Sequence, residues 1–261
     1  MGYVKLAWLY LRVGALNELQ YRANFFVQLF QSLLALGTGL VVLGLVFGHT
    51  NELGGWSRAE LLAVMGVHIL MGGLIRTMIQ PNMERLMGDV QRGTLDYALT
   101  KPADAQVLVS VREVRIWQSV DVLMGLLVLA AAVLQLQGRF GIWQALGFLA
   151  ALALGGLMIY SLWLMVTTGA FWVVRMENIL ELFEGIYHAG RWPVGIYPDW
   201  LRTGLTFLVP VAFAVTVPAE AITGRLTAQT LIGAAALTAV MMTAARMVWK
   251  FGLRNYTGAS A

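Results

Sequence analysis

Glu177, Glu181, Glu184, His188 and Arg191 follow one another at intervals of 4, 3, 4 and 3 residues, which places all five on one face of a helix. Ionisable groups in otherwise apolar sequence are costly at membrane depth and turn toward a cavity, water or one another. Two readings stand. The face lines a translocation path or subunit interface, or it is the solvated side of a helix at the cytoplasmic boundary. A second polar constellation, residues 90–102, reads V-Q-R-G-T-L-D-Y-A-L-T-K-P. In it Gly93 can end one helix, Thr94 can cap the next, Leu95 and Leu99 stand at i and i+4, and Pro102 terminates it. Such a helix has an apolar side for a partner. Its bland alternative is an amphipathic loop helix packed on its own protein.

Catalytic chemistry has no comparable foothold. A nucleotide-cradling G-x-x-x-x-G-K-[ST] loop is missing: the lysines are Lys5, Lys101 and Lys250, and none follows a glycine. There is no H-E-x-x-H and no G-x-S-x-G, His49, His68 and His188 sit in different segments, and the chain has no cysteine. No cofactor is expected on this chain, and any energy must come from a partner or an ion gradient.

The elements that position these residues are membrane spans. Hydrophobic residues make up 59% of 261 and charged residues only 12%, about half the roughly 25% of soluble domains. The net charge of +4 is dispersed, without basic clusters alternating with aromatics, so nucleic acid is not an expected partner. Residues 3–22 carry Leu6, Leu9, Tyr10, Val13 and Leu16 at helical spacing among polar residues, which predicts an amphipathic helix on the membrane surface; the alternative is an extension of the first span. The N-terminus lacks the apolar core of a cleavable signal peptide and is expected to be retained. Apolar runs predict crossings at about 25–47, 58–79, 120–136, 142–174 and 228–248. Ser57 and Glu60 form a capping-box pattern at the start of the second, and Pro81 marks its end. Arg76, near that end, is expected to snorkel to the interface.

Placing the N-terminus inside gathers most Lys and Arg, from Lys5 and Arg12 through Arg112 and Arg115 to Lys250 and Arg254, at the cytoplasm. Arg58, Arg139, Arg191, Arg202 and Arg225 remain on the other face. Both termini are then cytoplasmic, the crossings must be even in number, and 179–197 supplies the fifth of six. Residues 198–218, short and broken by Pro210, become a re-entrant hairpin from the outer face. The competing arrangement makes 201–217 the fifth span and 179–199 a cytoplasmic surface segment.

The 90–102 stretch, between the second and third spans, resembles the cytoplasmic loop of permeases of the type 2 ATP-binding cassette (ABC-2) family, which reads roughly R-G-T-L-[DE]-x-x-L-x-x-P. Arg92, Gly93, Thr94, Leu95, Asp96, Leu99 and Pro102 fill that pattern in order. Gly55-Trp56-Ser57 with Glu60, Tyr21-Arg22, and Tyr197-Pro198-x-Trp200-Leu201 followed by Pro210 extend the likeness over nearly the whole chain. It looks most like a bacterial branch whose permease genes often come in pairs. Glu181 and Glu184 depart from it, being more polar than a fifth span of that family.

The resemblance implies an all-α polytopic membrane protein: one permease domain over 1–261, with six transmembrane helices, the interfacial helix at 3–22, a cytoplasmic coupling loop at 82–118 and the external re-entrant segment at 198–218. It implies that Arg92, Gly93, Thr94, Leu95, Asp96, Tyr97, Leu99, Lys101 and Pro102 form a coupling helix docked on a separate ATP-binding subunit, which holds the ATP and Mg. Leu95, Tyr97 and Leu99 would make the apolar contact, with Arg92, Asp96 and Lys101 at its rim. It further implies a second permease copy or a related permease, the bacterial inner membrane, and export. A gradient-driven secondary transporter and a non-transporting membrane scaffold are the competing functions.

Overall fold

The computed structural model describes residues 22–136, 141–172 and 177–256, with side chains at all of these except 22 and 177–180. The surface helix expected at 3–22 therefore lies outside the described residues, Arg22 apart. Within them the chain is helical, and five helices are long and apolar enough to cross a membrane. α1 is Arg22–Phe47. α2, Arg58–Leu74, runs through a π-helical turn, Ile75–Ile79, into α3, Gln80–Gln91. The one-turn α4, Asp96–Leu99, and α5, Ala105–Ser110, precede α6, Ser119–Gln135, and α7, Ile142–Thr168. α8, Glu177–Ala189, is followed by a bent pair: α9, Asp199–Thr203, with its π turn to Leu208, and Ala212–Thr216 continuing into α10, Val217–Thr223. α11, Ala228–Asn255, closes the bundle.

The second crossing does not stop at Pro81. Proline has no N–H and clashes with the carbonyl four residues back. Here that carbonyl, Thr77, instead accepts the Arg115 amide at 3.1 Å, and the Asn82 side chain donates to Met78 O at 2.6 Å. The π turn just before Pro81 absorbs the misfit, so the helix continues to Gln91. Residues 82–118 thus begin as helix rather than loop. From Arg58 to Gln91 the 34 residues extend about 51 Å at 1.5 Å each, against about 30 Å of hydrocarbon. The helix therefore outreaches the hydrocarbon by about 20 Å.

α2 and α6 pack closely because glycine sits between them: a β-carbon on Gly125 would lie 2.5 Å from the Leu70 amide nitrogen. α1 turns Phe26, Phe30, Leu34 and Leu45 outward. Such a surface suits lipid rather than water.

Residues 177–196 run antiparallel to α2. Glu184 lies by Gln80 (3.4 Å), Tyr187 stacks on His68, and Ile196 meets Gly54. These contacts reach from the loop before α2 to Gln80 at the start of α3, about 33 Å from Arg58 to Gln80 at 1.5 Å per residue. α8 is helical for only 13 residues, so its irregular continuation must satisfy its own backbone. Gly190 and Arg191 amides return to Tyr187 and His188, the Val194 amide donates to Thr216 Oγ1, and the Tyr197 hydroxyl donates to Ala189 O.

The bent pair folds back on itself by 78°. It starts beside Gly195 and Tyr197, whose carbonyls accept from Arg202, and ends at Arg225, which clamps Glu60 (2.7 and 2.9 Å), bonds Gly55 O and covers the Trp56 ring. Entry and exit therefore share one end of the bundle. Glu60 also accepts the Ser57 amide at 2.8 Å, as its capping pattern requires. The hairpin's inner side, Val211, Ala214 and Val215, is fully buried, and Gly155 of α7 lets Phe213 and Ala214 approach backbone to backbone. Gly155→Leu is expected to cost about 1–3 kcal/mol by overpacking, read as a lower Tm of the purified protein. An unchanged Tm would mean that the hairpin is not seated there.

Candidate functional site

Where α3 leaves the bundle, the chain makes a Schellman turn. The Thr94 amide donates to Asp89 O (2.8 Å) and the Gly93 amide to Val90 O (3.2 Å), with Gly93 at φ 69°, a conformation that favours glycine. Thr94 does not cap α4. Its hydroxyl donates back to Asp89 Oδ1 at 3.0 Å, and Asp89 Oδ2 accepts Arg112 Nη1 at 2.9 Å in a nearly buried pair.

The one-turn α4 is seated by Leu95 and Ala98, both 0% exposed. Tyr97 is 76% exposed, Leu99 sits at the edge, and Arg92, Lys101 and Pro102 face outward, with Asp96 half-buried. The expected outward trio of Leu95, Tyr97 and Leu99 is therefore divided. Leu95 and Ala98, three apart, share the inward face, whereas Leu99 lies off it.

Beyond this turn, Asp104 caps α5 by accepting the Gln106 and Val107 amides, and Arg246 of α11 grips it at 3.0 Å. The Arg246 guanidinium holds the Asp104 carboxyl below its usual range. Asn82 pins the returning chain, accepting the Arg112 and Glu113 amides at 2.8 and 2.9 Å. The 92–102 loop is thus anchored to three helices and presents a single exposed aromatic.

The α8 face does not form one constellation. The Glu177 side chain is outside the described residues. Glu181 and Glu184 are exposed, the latter beside Gln80, while His188 and Arg191 line a cavity of about 270 Å³. Opposite them lie Gln28 and Ser32 of α1, His68 of α2, Arg76 of the π turn and Asp121 of α6. Asp121 is 4% exposed and collects four donors: Arg76 through Nη2 (2.6 Å) and Nε (3.2 Å), Gln28 (3.2 Å) and the Ser32 hydroxyl. Arg76 therefore does not snorkel. It turns inward because a buried carboxylate across the helix pair needs a counter-ion.

Sequence reasoning missed Gln28, Ser32 and Asp121. The available signal was a lone acid in the first turn of the third span facing a lone base in the second. At the wall, the His68 ring stacks on Tyr187 at 4.6 Å, and the Tyr187 hydroxyl donates to His68 O at 2.8 Å.

No curated protein and no solved structure matches the chain at a significant level. The family model described as "ABC-2 family transporter protein" matches residues 33–260. That match takes in the seated loop, the cavity's α2, α6 and α8 walls and the bent pair, and so this multi-pass membrane chain belongs to the ABC-2 family of transporter proteins.

Proposed function

We propose that this permease is half of an exporter that works with a separate ATP-binding subunit docked on the 92–102 loop. The observation that carries the reading is the form of that loop. It is fixed to the bundle by Leu95, Ala98 and the Asp89–Arg112 pair, and it turns Tyr97 outward beyond the expected bilayer. An element that passes on a partner's closure must be stiff toward its own helices and sticky toward the partner. Tyr97 and Leu99 then make the apolar contact, Arg92, Asp96 and Lys101 rim it, and Leu95 acts as the anchor rather than as a contact.

The chain crosses six times with both termini in the cytoplasm, 177–196 supplying the fifth crossing and 199–223 dipping in from the outer face. The contacts at both ends of α2 support this, as does the Lys and Arg bias. The exposed Glu181 and Glu184 cannot face lipid cheaply. They line a water-filled path shared with a second permease, copy or relative, in the bacterial inner membrane.

The test is co-purification. Tyr97→Asp with Leu99→Asp is expected to abolish recovery of the ATP-binding subunit encoded beside the permease, while membrane insertion and monodispersity stay normal. Undiminished recovery would remove the loop from the interface.

A further inference from the structure

Among the described residues, the fixed charges of the α1–α2–α8 cavity do not cancel. Arg76 is matched by Asp121, but among the described residues no carboxylate pairs with the Arg191 guanidinium on the opposite wall. His188 stands beside it, and the buried Nδ1 of His68 has no hydrogen-bond partner among the described residues. Among the described residues two guanidiniums thus face one carboxylate, and Gln28, Gln31, Ser32 and Gln118 add neutral polar lining. The remainder turns apolar at Ala35, Leu36 and Gly39 of α1 and Met65 and Ile69 of α2.

A guanidinium at membrane depth without a counter-ion is costly, and a ligand that brings an anion relieves that cost through charge-assisted, bidentate hydrogen bonds. About 270 Å³ holds roughly nine waters at about 30 Å³ each. That is space for a phosphate, sulfate or carboxylate head, not for an entire amphiphile. An apolar tail would leave along the α1 side of the lining.

We infer that this cavity binds the anionic headgroup of an amphiphile, with Arg191 and His188 as its ligands and Arg76 held at its floor by Asp121. The inference deepens the permease reading, on which it rests only in naming the substrate class. Its binding chemistry belongs to this chain alone.

The test uses the full chain in a neutral detergent, with dodecyl phosphate as probe and dodecanol and dodecyltrimethylammonium as tail-matched comparators. Dodecyl phosphate is expected to raise Tm in a saturable way, and the comparators are not. Arg191→Gln is expected to weaken the apparent affinity at least about tenfold, given the strength of charge-assisted bonds. Arg191→Lys should recover part of it, and Arg202→Gln, outside the cavity, should match the wild type. If Arg191→Gln is not monodisperse, His188→Gln carries the same comparison.

Equal stabilisation by the neutral or cationic probe overturns the inference, as does undiminished affinity in the cavity variants. Native mass spectrometry separates the sources. A phospholipid retained by the wild type and lost from Arg191→Gln marks a resident lipid, while an empty wild type that takes up dodecyl phosphate marks a transported ligand; both support the anionic site. Recovery of the ATP-binding subunit is measured separately, so failure of one reading leaves the other intact.

Discussion

A chain carrying Leu95→Asp is expected not to accumulate as folded protein, even though Leu95 lies in a surface loop. Leu95 is 0% exposed, in one cluster with Met83, Leu86, Ala98 and Leu108. Deleting such a leucine costs about 2–5 kcal/mol, and a carboxylate placed among these apolar side chains adds several kcal/mol of desolvation. Together these approach the whole stability of an ordinary domain, about 5–15 kcal/mol. Size-exclusion chromatography of a fluorescent fusion reads the result as loss of the monodisperse peak. A normal peak would mean that α4 is not anchored through Leu95. The contrast with Tyr97→Asp and Leu99→Asp is informative, because residues of one short turn should fail in different ways: the inward Leu95 by unfolding, the outward Tyr97 and Leu99 by losing a partner.

The second large effect is expected at Asp121. In Asp121→Asn the Arg76 guanidinium loses its counter-ion, and Gln28 and Ser32 lose a charged acceptor. Breaking a buried pair costs about 3–5 kcal/mol. The lower end applies, because the Arg76 side chain keeps 33% of its surface open to the cavity. At roughly 2–4 °C per kcal/mol for a chain of this size, Tm should fall by about 6–12 °C. Asp121→Leu with Arg76→Met should regain most of that loss, since an apolar pair of similar volume is often as stable as the ions it replaces. A double variant no more stable than the single would show that the network does more than neutralise charge.

The spans were legible because apolar runs and capping residues are local signals: Ser57 with Glu60 marks the start of α2, and Gly93 marks the end of α3. Pro81 misled because its consequence depends on Arg115, 34 positions away, supplying the Thr77 carbonyl with a donor. The loop's motif showed where function should sit, but not which leucine faces in. A one-turn helix has too little periodicity to decide that, and the choice is made by what α3 and α5 offer beneath it. The cavity stayed hidden because its polar residues are drawn from separated segments: α1, α2 with the π turn that follows it, the start of α6, and the end of α8 with the turn beyond it. Only His188 and Arg191 belong to a face recognised in its own segment; Asp121 stands by itself in the third span, and Arg76 alone reads as an interfacial base.

The proposed fifth crossing, 177–196, also bears on how the protein is made. Its helix is 13 residues long and carries Glu181, Glu184 and His188, and each central Asp, Lys or Arg raises the cost of insertion by about 2.5–3.5 kcal/mol. Such a segment is a poor candidate for partitioning from the translocon by itself. Its contacts with His68 and Gly54 behind it, and with Val211 and Thr216 ahead of it, close only once those helices are present. On that topology biogenesis is expected to be ordered: α1 to α7 enter first, and the fifth crossing settles together with the hairpin that follows it, as one delayed unit of assembly.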